Sequence, residues 1–339
     1  MRAAVWLLFL WVMCLCPSGA EAHHKDKNQA STERRTLRIE GFERSYLIHV
    51  PRGITHRVPV VMMLHGRGGT SDSAANDFGW VEKADQEGFL AVFPQALPID
   101  PARPSGTKLP ENFMQHWKVP TNDSFWWTHG MAKSYPYLAN PHYPRLLHPL
   151  DTPFLLAVMR DVFRHCSVNP HRVYVAGFSS GGEMASDFAQ SAAMELAAVA
   201  VAGSVGWSRP HQLREPVSAF LAIGTDDEFG QPGQAVWDSM SATAKDKWFG
   251  RQSPPTLEQD VALWAQLDGC QDHTLTRTSW GQEIRWSECL KGVQVRGFSI
   301  NELGHEWPGS KPSQWNQAHS AQIPLHLTDV IWDFFRSLD

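Results

Sequence analysis

The hydrophobic pattern of the chain alternates between short, continuous apolar runs and longer amphipathic stretches. An apolar run with no polar face is typical of a central strand that is covered on both sides. Such runs occupy residues 59–64, 89–93, 173–176, 196–201 and 217–223. Helical periods occupy residues 73–87, 151–162, 234–247, 256–267 and 325–335. The alternation predicts an α/β domain with a mostly parallel central sheet and helices on both faces.

Two other segments have the pattern of antiparallel strands. Apolar and polar residues alternate at 36–39 and 44–50 around a glycine, which predicts a hairpin at a sheet edge. A polar, hairpin-like stretch lies between Cys270 and Cys289. In an oxidising compartment these two cysteines are candidates for a disulfide, and Cys166 is left as a buried free thiol.

The first residues have the features of an export signal. Arg2 precedes an apolar run that is too short to span a bilayer comfortably, and a small-x-small cleavage site ends at Ala22. We expect residues 1–22 to be a signal peptide and the mature protein to be secreted or periplasmic; an uncleaved anchor is the alternative. Residues 23–35 are charged and aperiodic, and are predicted to be a disordered lead-in. Residues 36–339 fit a single domain.

Charge and composition narrow the range of partners. The net charge of -5 gives no reason to expect nucleic acid or an anionic membrane as partner, and no later stretch has the apolar length of a membrane helix. The histidines are scattered without ligand spacing, so neither a metal nor another cofactor is implied. The oligomeric state is left open. Between about residues 95 and 150 the periodicity stops, which predicts a lid or substrate-binding insertion.

The main chemical motif is a Gly-x-Ser-x-Gly sequence between a predicted strand and a predicted helix. A sharp strand-to-helix turn strains the backbone of its central residue and brings strand and helix close together, which requires small residues such as Gly177 and Gly181. Ser179 is therefore the candidate nucleophile, and the backbone N–H of Ser180 is a candidate oxyanion donor. The alternative is a Gly-rich turn with a packing role only.

A second glycine-rich motif follows the 59–64 run. Glycines in the His-Gly-x-Gly-Gly sequence that begins at His65 let backbone N–H groups approach a reacting oxygen, so the N–H of Arg67 is the second candidate oxyanion donor. The loop lacks the Lys-Ser/Thr of a phosphate-binding P-loop and the spacing of a dinucleotide fingerprint.

Candidate acid and base residues come later in the chain. Asp226 and Asp227 follow the 217–223 run, and His305 follows a last predicted strand at residues 292–300. The order nucleophile, acid, base is that of α/β-hydrolases. His305 would take the proton of Ser179 and return it to the leaving alcohol, and one of the two aspartates would orient the imidazole.

Four motifs together resemble one known family. The motifs are Leu64-His65-Gly66-x-Gly68-Gly69, Gly177-x-Ser179-x-Gly181-Gly182, Gly224-Thr225-x-Asp227 and Gly304-His305-x-Trp307-Pro308-Gly309. They are similar to those of the secreted poly(3-hydroxybutyrate) depolymerase-type esterases, which include feruloyl and acetylxylan esterases. The resemblance implies an α/β-hydrolase catalytic domain, a triad of Ser179, Asp227 and His305, the Arg67 N–H as oxyanion donor, and a disulfide between Cys270 and Cys289.

The substrate is predicted from the aromatic residues of the 95–150 insertion. Trp126 and Trp127 suit a flat aryl or sugar group, and His65 and Trp307 are further candidate substrate contacts. We therefore expect a feruloyl or acetyl ester of a polysaccharide, ahead of poly(3-hydroxybutyrate) or its oligomers. Plain packing is the alternative role for the aromatics. An acyltransferase and a non-catalytic carbohydrate-binding relative are the alternatives of another class.

Overall fold

The structure is a computed structural model. It describes residues 30–39, 42–97, 124–128, 151–191, 196–205, 210, 212–227, 238, 241–242, 256–311, 323 and 325–338. The predicted signal peptide, most of the 95–150 insertion and most of the predicted 234–247 helix lie outside these ranges.

The described residues form a mixed sheet of ten strands. In spatial order the strands are β1-β2-β4-β3-β5-β6-β7-β10-β9-β8. The six from β4 to β10 are parallel, while the β1–β2 and β8–β9 hairpins add antiparallel strands at the two edges. Their bounds are β1 Ser31–Ile39, β2 Phe42–Val50, β3 Val58–Leu64, β4 Leu90–Pro94, β5 Val168–Phe178, β6 Ala198–Ala202, β7 Ser218–Gly224, β8 Asp272–Thr278, β9 Gly281–Ser287 and β10 Val295–Ile300. Both predicted hairpins and the parallel centre are confirmed.

The central strands separate two hydrophobic cores. Every residue of β3 is buried, and its side chains alternate between the faces: Met62 belongs to one core and Met63 to the other. In β5, Val175 and Tyr174 divide in the same way. A strand buried on both faces needs no polar alternation, which is why these segments read as continuous apolar runs.

Helices cover both faces of the sheet. Their bounds are α1 Ser71–Asp77, α2 Trp80–Glu87, α3 Asp151–His165, α4 Ser180–Ser191, α5 Leu257–Leu267 and α6 Leu327–Arg336. The single helix predicted over 73–87 is wrong, because Gly79 adopts φ 78° and divides it into α1 and α2. The helices predicted at 256–267 and 325–335 are confirmed, and the Thr256 side chain caps the first of them.

The disordered lead-in predicted over 23–35 is wrong in its last part. Strand β1 begins at Ser31, and its residues alternate between exposed and half-buried positions. Thr32 bonds the ring of His49 at 2.8 Å, and Arg35 forms an ion pair with Asp161 at 3.3 Å. A polar edge strand has little apolar periodicity, so its sequence resembles a disordered segment.

The predicted disulfide and the predicted free thiol are both present, but Cys166 is half-buried rather than buried. Cys270 and Cys289 form a disulfide that joins the two ends of the β8–β9 hairpin. Cys166 is a free, half-buried thiol directly after α3.

Candidate active site

Ser179 lies on a strained turn between β5 and α4. Its φ of 55° falls in the left-handed region, which is rare for residues other than glycine. A Cβ at Gly177 would collide with the backbone of Gly181, and a Cβ at Gly181 would collide with the carbonyl oxygen of Leu64. The predicted requirement for glycine at both positions is confirmed.

A continuous chain of hydrogen bonds joins Ser179, His305 and Asp227. Ser179 Oγ is 2.8 Å from His305 Nε2, and His305 Nδ1 is 2.9 Å from both carboxylate oxygens of Asp227. Asp227 is buried, whereas Asp226 is exposed and accepts a hydrogen bond from Thr225 Oγ1 at 3.3 Å. Of the two candidate aspartates, the geometry therefore brings Asp227 to the histidine.

Hydrogen bonds join the loop that carries Asp227 to the loop that carries His305. Both follow parallel neighbouring strands, β7 and β10, so they leave the sheet at the same edge. The Asp226 N–H donates to the Leu303 carbonyl at 3.0 Å, and the Glu302 N–H donates to Thr225 Oγ1 at 2.9 Å. These hydrogen bonds fix the separation of Asp227 and His305.

The His65–Thr70 loop, called the oxyanion loop below after its predicted role, lies against Ser179. A Cβ added at Gly66 would be 3.4 Å from the Cβ of Ser179, so the Gly66–Arg67 peptide lies beside the reacting group. Ser180 is the first residue of α4, where backbone N–H groups have no partner within the helix.

His65 is a buried structural residue rather than an exposed substrate contact. Its Nδ1–H donates to the Gly66 carbonyl at 2.7 Å, and its Nε2 accepts the Ala96 N–H at 3.1 Å. Burial lowers the pKa of His65 to about 4, although the hydrogen bond to Gly66 opposes the shift. The imidazole is therefore neutral at physiological pH, with its proton on Nδ1.

The predicted substrate contacts of three tryptophans are also corrected. Trp126 and Trp307 are 0% exposed and Trp127 is 8% exposed, so none presents a flat face to solvent. The Trp307 indole N–H donates to Thr328 Oγ1 at 3.0 Å, and that of Trp126 donates to the His65 carbonyl at 2.8 Å. The insertion that contains Trp126 and Trp127 has no hydrophobic periodicity, so the sequence did not indicate that these indoles are buried.

Two residues near the site were missed by the sequence analysis. Ser124 accepts the Gly68 N–H at 2.9 Å and so contacts the oxyanion loop. Glu183 lies one turn into α4, and burial together with the nearby Asp187 raises its pKa to about 8. Glu183 and Asp187 are four residues apart in the sequence, and this spacing places two acidic side chains next to each other on a helix. It could have identified Glu183 from the sequence.

Two kinds of feature are absent from the described part of the chain. It contains no group of three or more His, Cys, Asp and Glu side chains suited to a metal ion. Among its helices, none combines the length and the apolar character needed to cross a membrane.

Sequence comparison finds relatives named as esterases. No family model matches the chain. The putative esterase NocK of Nocardia uniformis subsp. tsuyamanensis is 24% identical over 298 residues, which cover 83% of this chain and 75% of that protein. The bifunctional acetylxylan esterase/xylanase XynS20E of Neocallimastix patriciarum is 22% identical over 275 residues, which cover 79% of this chain and 32% of that protein. The chain thus matches only a part of the second relative.

Structural comparison defines the fold. The acetyl xylan esterase of Aspergillus awamori has a TM-score of 0.53 at 13% identity, covering 89% of this chain and 99% of that one. The S-formylglutathione hydrolase of Agrobacterium tumefaciens has a TM-score of 0.51 at 12% identity, covering 92% and 97%. The predicted α/β-hydrolase fold is confirmed.

Proposed function

We propose that this carboxylic-ester hydrolase uses Ser179 as nucleophile, His305 as general base and Asp227 as the acid that orients His305. The enzyme class rests on the fold and on the sequence relatives named as esterases. The observation that carries the catalytic assignment is the hydrogen-bonded chain from Ser179 Oγ through His305 to Asp227, with links of 2.8 and 2.9 Å.

The proposed reaction proceeds through an acyl-enzyme. His305 Nε2 takes the proton of Ser179 as Oγ attacks the ester carbonyl, and the N–H groups of Arg67 and Ser180 stabilise the tetrahedral oxyanion. The imidazolium then returns the proton to the leaving alcohol, which leaves the acyl group on Ser179. A water molecule activated by His305 releases the acid and restores the serine.

The proposed substrate is an acetyl or feruloyl ester of a polysaccharide, with the acetyl ester first. This choice is supported by the similarity to XynS20E, whose name includes acetylxylan esterase. Trp126 and Trp127 do not support this choice, because both side chains are buried. The depolymerase-type activity on hydroxybutyrate esters and the acyltransferase reaction are the alternative outcomes of the test.

A hydrolysis panel tests the proposal on the purified protein. The substrates are acetylated xylan, methyl ferulate, hydroxybutyrate oligomers and p-nitrophenyl acetate, each with and without an added alcohol acceptor. We expect acetylated xylan to have the highest kcat/KM and water to be the main acceptor. A much higher kcat/KM on the oligomers would contradict the substrate class, preferential transfer to the alcohol would contradict hydrolysis, and inactivity on all four would contradict the enzyme class.

We also propose export with cleavage after Ala22. The disulfide between Cys270 and Cys289 supports an oxidising compartment. N-terminal sequencing of protein recovered from the culture medium or periplasm checks this, with His23 expected as the first residue. Intact Met1 on membrane-bound protein would instead support the uncleaved anchor.

A further inference from the structure

Residues 124–128, called the clamp segment below, hold the oxyanion loop from behind with three hydrogen bonds. The Gly68 N–H donates to the Ser124 carbonyl at 2.9 Å, and the Ser124 hydroxyl donates to the Gly69 carbonyl at 2.5 Å. The Trp126 indole N–H donates to the His65 carbonyl at 2.8 Å. The three bonds therefore attach to the loop on both sides of the Gly66–Arg67 peptide.

The direction of that peptide follows from its own hydrogen bonds. The Gly66 carbonyl accepts from His65 Nδ1 at 2.7 Å and from the Gly69 N–H at 3.0 Å, so it points back into the loop. A trans peptide directs its N–H opposite to its carbonyl. The Arg67 N–H consequently points away from the carbonyl's two partners. Any shift of His65 or Gly69 would rotate this donor.

The clamp segment is itself firmly attached to the domain. The Phe125 N–H donates to the Leu97 carbonyl at 2.9 Å, and the Trp127 N–H donates to Asp151 Oδ2 at 2.6 Å. The other oxygen of Asp151 accepts Arg44 Nη2 at 2.6 Å in an ion pair whose side chains are 2% and 1% exposed. Losing one partner of such a buried pair is costly, which keeps the attachment rigid.

We infer that Trp126 and Ser124 are positioning residues that hold the Arg67 N–H in place for the oxyanion. The inference rests on the proposed function, because it takes the Arg67 N–H as an oxyanion donor. Neither side chain is exposed enough to bind substrate: Trp126 is 0% exposed and Ser124 is 8% exposed. Both act through the backbone of the oxyanion loop, so their removal affects the transition state more than the bound ester.

The test compares Trp126→Phe, which removes the indole N–H but keeps an aromatic ring, with Ser124→Ala. The matched control is Trp80→Phe, because Trp80 is also 0% exposed and its indole nitrogen has no hydrogen-bond partner among the residues that the structure describes. Steady-state kinetics on p-nitrophenyl acetate are measured together with inhibition by a trifluoromethyl ketone, whose serine adduct places an oxyanion in the site. A fluorophosphonate probe checks that Ser179 is labelled in every variant.

We expect Trp126→Phe to lower kcat by about 10-fold to 100-fold and to leave KM nearly constant. The upper bound is roughly the cost of misplacing a catalytic group by 1 Å. The Ki of the ketone should rise by the same factor, and Ser124→Ala should show the same pattern to a smaller degree. Trp80→Phe should leave kcat and Ki unchanged.

Several outcomes would overturn the inference. Wild-type kcat and Ki in Trp126→Phe would do so, and so would a raised KM at constant kcat, which would indicate a direct substrate contact. If Trp126→Phe does not fold, wild-type kinetics in Ser124→Ala decide against the inference. Absence of Ser179 labelling in the parent protein would instead contradict the proposed function, whatever the Trp126 variant does.

Discussion

The imidazole of His305 is held by both oxygens of Asp227, each 2.9 Å from Nδ1, although 78 residues separate the two in the chain. An Nδ1–H directed at the carboxylate leaves Nε2 as the acceptor that faces Ser179 Oγ at 2.8 Å. The ring of Phe178 lies 4.9 Å from the imidazole and limits its movement on one side. The imidazole of His305 is therefore already oriented toward Ser179 in the absence of substrate.

Replacing Ser179 or His305 by alanine should abolish turnover of p-nitrophenyl acetate. The groups act as a unit, and the loss of either serine or histidine costs on the order of 10⁶-fold in kcat in a comparable serine hydrolase. Initial rates check this, with thermal unfolding to show that each variant is folded. Near-parental activity in a folded variant of either residue would remove it from the mechanism.

Asp227→Asn should reduce kcat by about 10⁴-fold, because an amide favours the wrong tautomer of His305. Asp226→Asn is the matched control. Its kcat should stay close to that of the parent, because the Asp226 side chain is exposed and accepts a hydrogen bond from Thr225 Oγ1. Parallel kinetics on the two variants measure the difference. Equal losses, or the reverse ranking, would move the acid role away from Asp227.

Gly181→Ala should destabilise the protein by at least about 3 kcal/mol, the upper end of ordinary overpacking. The added Cβ would collide with the backbone carbonyls of Leu64 and His65, which cannot rotate away as a side chain can. Gly304→Ala is the control, because a Cβ there meets no atom within 4 Å and φ lies outside the left-handed range. Thermal denaturation compares the two. A Tm for Gly181→Ala equal to that of the control would show that the turn can open.

Replacing both Cys270 and Cys289 by serine should lower the free energy of unfolding by about 3 kcal/mol in the chain-entropy description of a loop of this size. The bond spans 19 positions and closes the β8–β9 hairpin. Urea denaturation of the double variant measures the loss. Alkylation of the unfolded, unreduced protein that begins at His23, and so lacks Cys14 and Cys16, should modify Cys166 alone. Modification of Cys270 or Cys289 would contradict the pairing.

The contribution of Asp268 to the free energy of unfolding should fall as the pH rises from about 4 to 7. Burial raises the pKa of this carboxyl from 3.8 to about 7, although the hydrogen bond from the Val217 N–H opposes the shift. Within this window the carboxyl is protonated in the folded state and ionised in the unfolded state, so folding binds a proton. The free energy of unfolding therefore decreases by up to about 1.4 kcal/mol for each unit of pH.

The variant Asp268→Asn isolates this contribution. It keeps an acceptor for the Val217 N–H and cannot ionise, and the other oxygen of Asp268 is buried without a hydrogen-bond partner. We expect its unfolding free energy to exceed that of the parent at pH 7 and to match it below pH 4. The same pH dependence in parent and variant would assign the effect to other groups.

Local signals made much of the site predictable. The spacing of Gly177 and Gly181 specified the turn, because close contact between strand and helix excludes a Cβ whatever lies further away. Position after a strand left Asp226 and Asp227 equivalent, and only the family resemblance selected Asp227; the contact with His305 across the sheet edge is not encoded by neighbouring residues. The extent of β1 was missed because an edge strand carries polar residues.

The role of Trp126 illustrates the same limit. Its aromatic character was visible in the sequence, but its burial depends on packing between a long insertion and the rest of the domain. The bond to the His65 carbonyl joins residues 61 positions apart, and neither segment predicts the other. Every residue also has a backbone carbonyl, so the sequence does not indicate which carbonyl accepts a hydrogen bond from a given side chain.

Strand β5 lies in the interior of the sheet, between β3 and β6, and this position links activity to folding. Leu64 of β3 pairs with Gly177, and Phe178 pairs with Ala202, so the turn at Ser179 is shaped by strands from distant parts of the chain. Parallel, non-local pairing of this kind forms late and slowly. A partly folded chain with native helices would still lack the geometry for hydrolysis. Recovery of activity after dilution from denaturant should thus report the pairing of β3, β5 and β6 around Ser179 rather than the formation of helices alone.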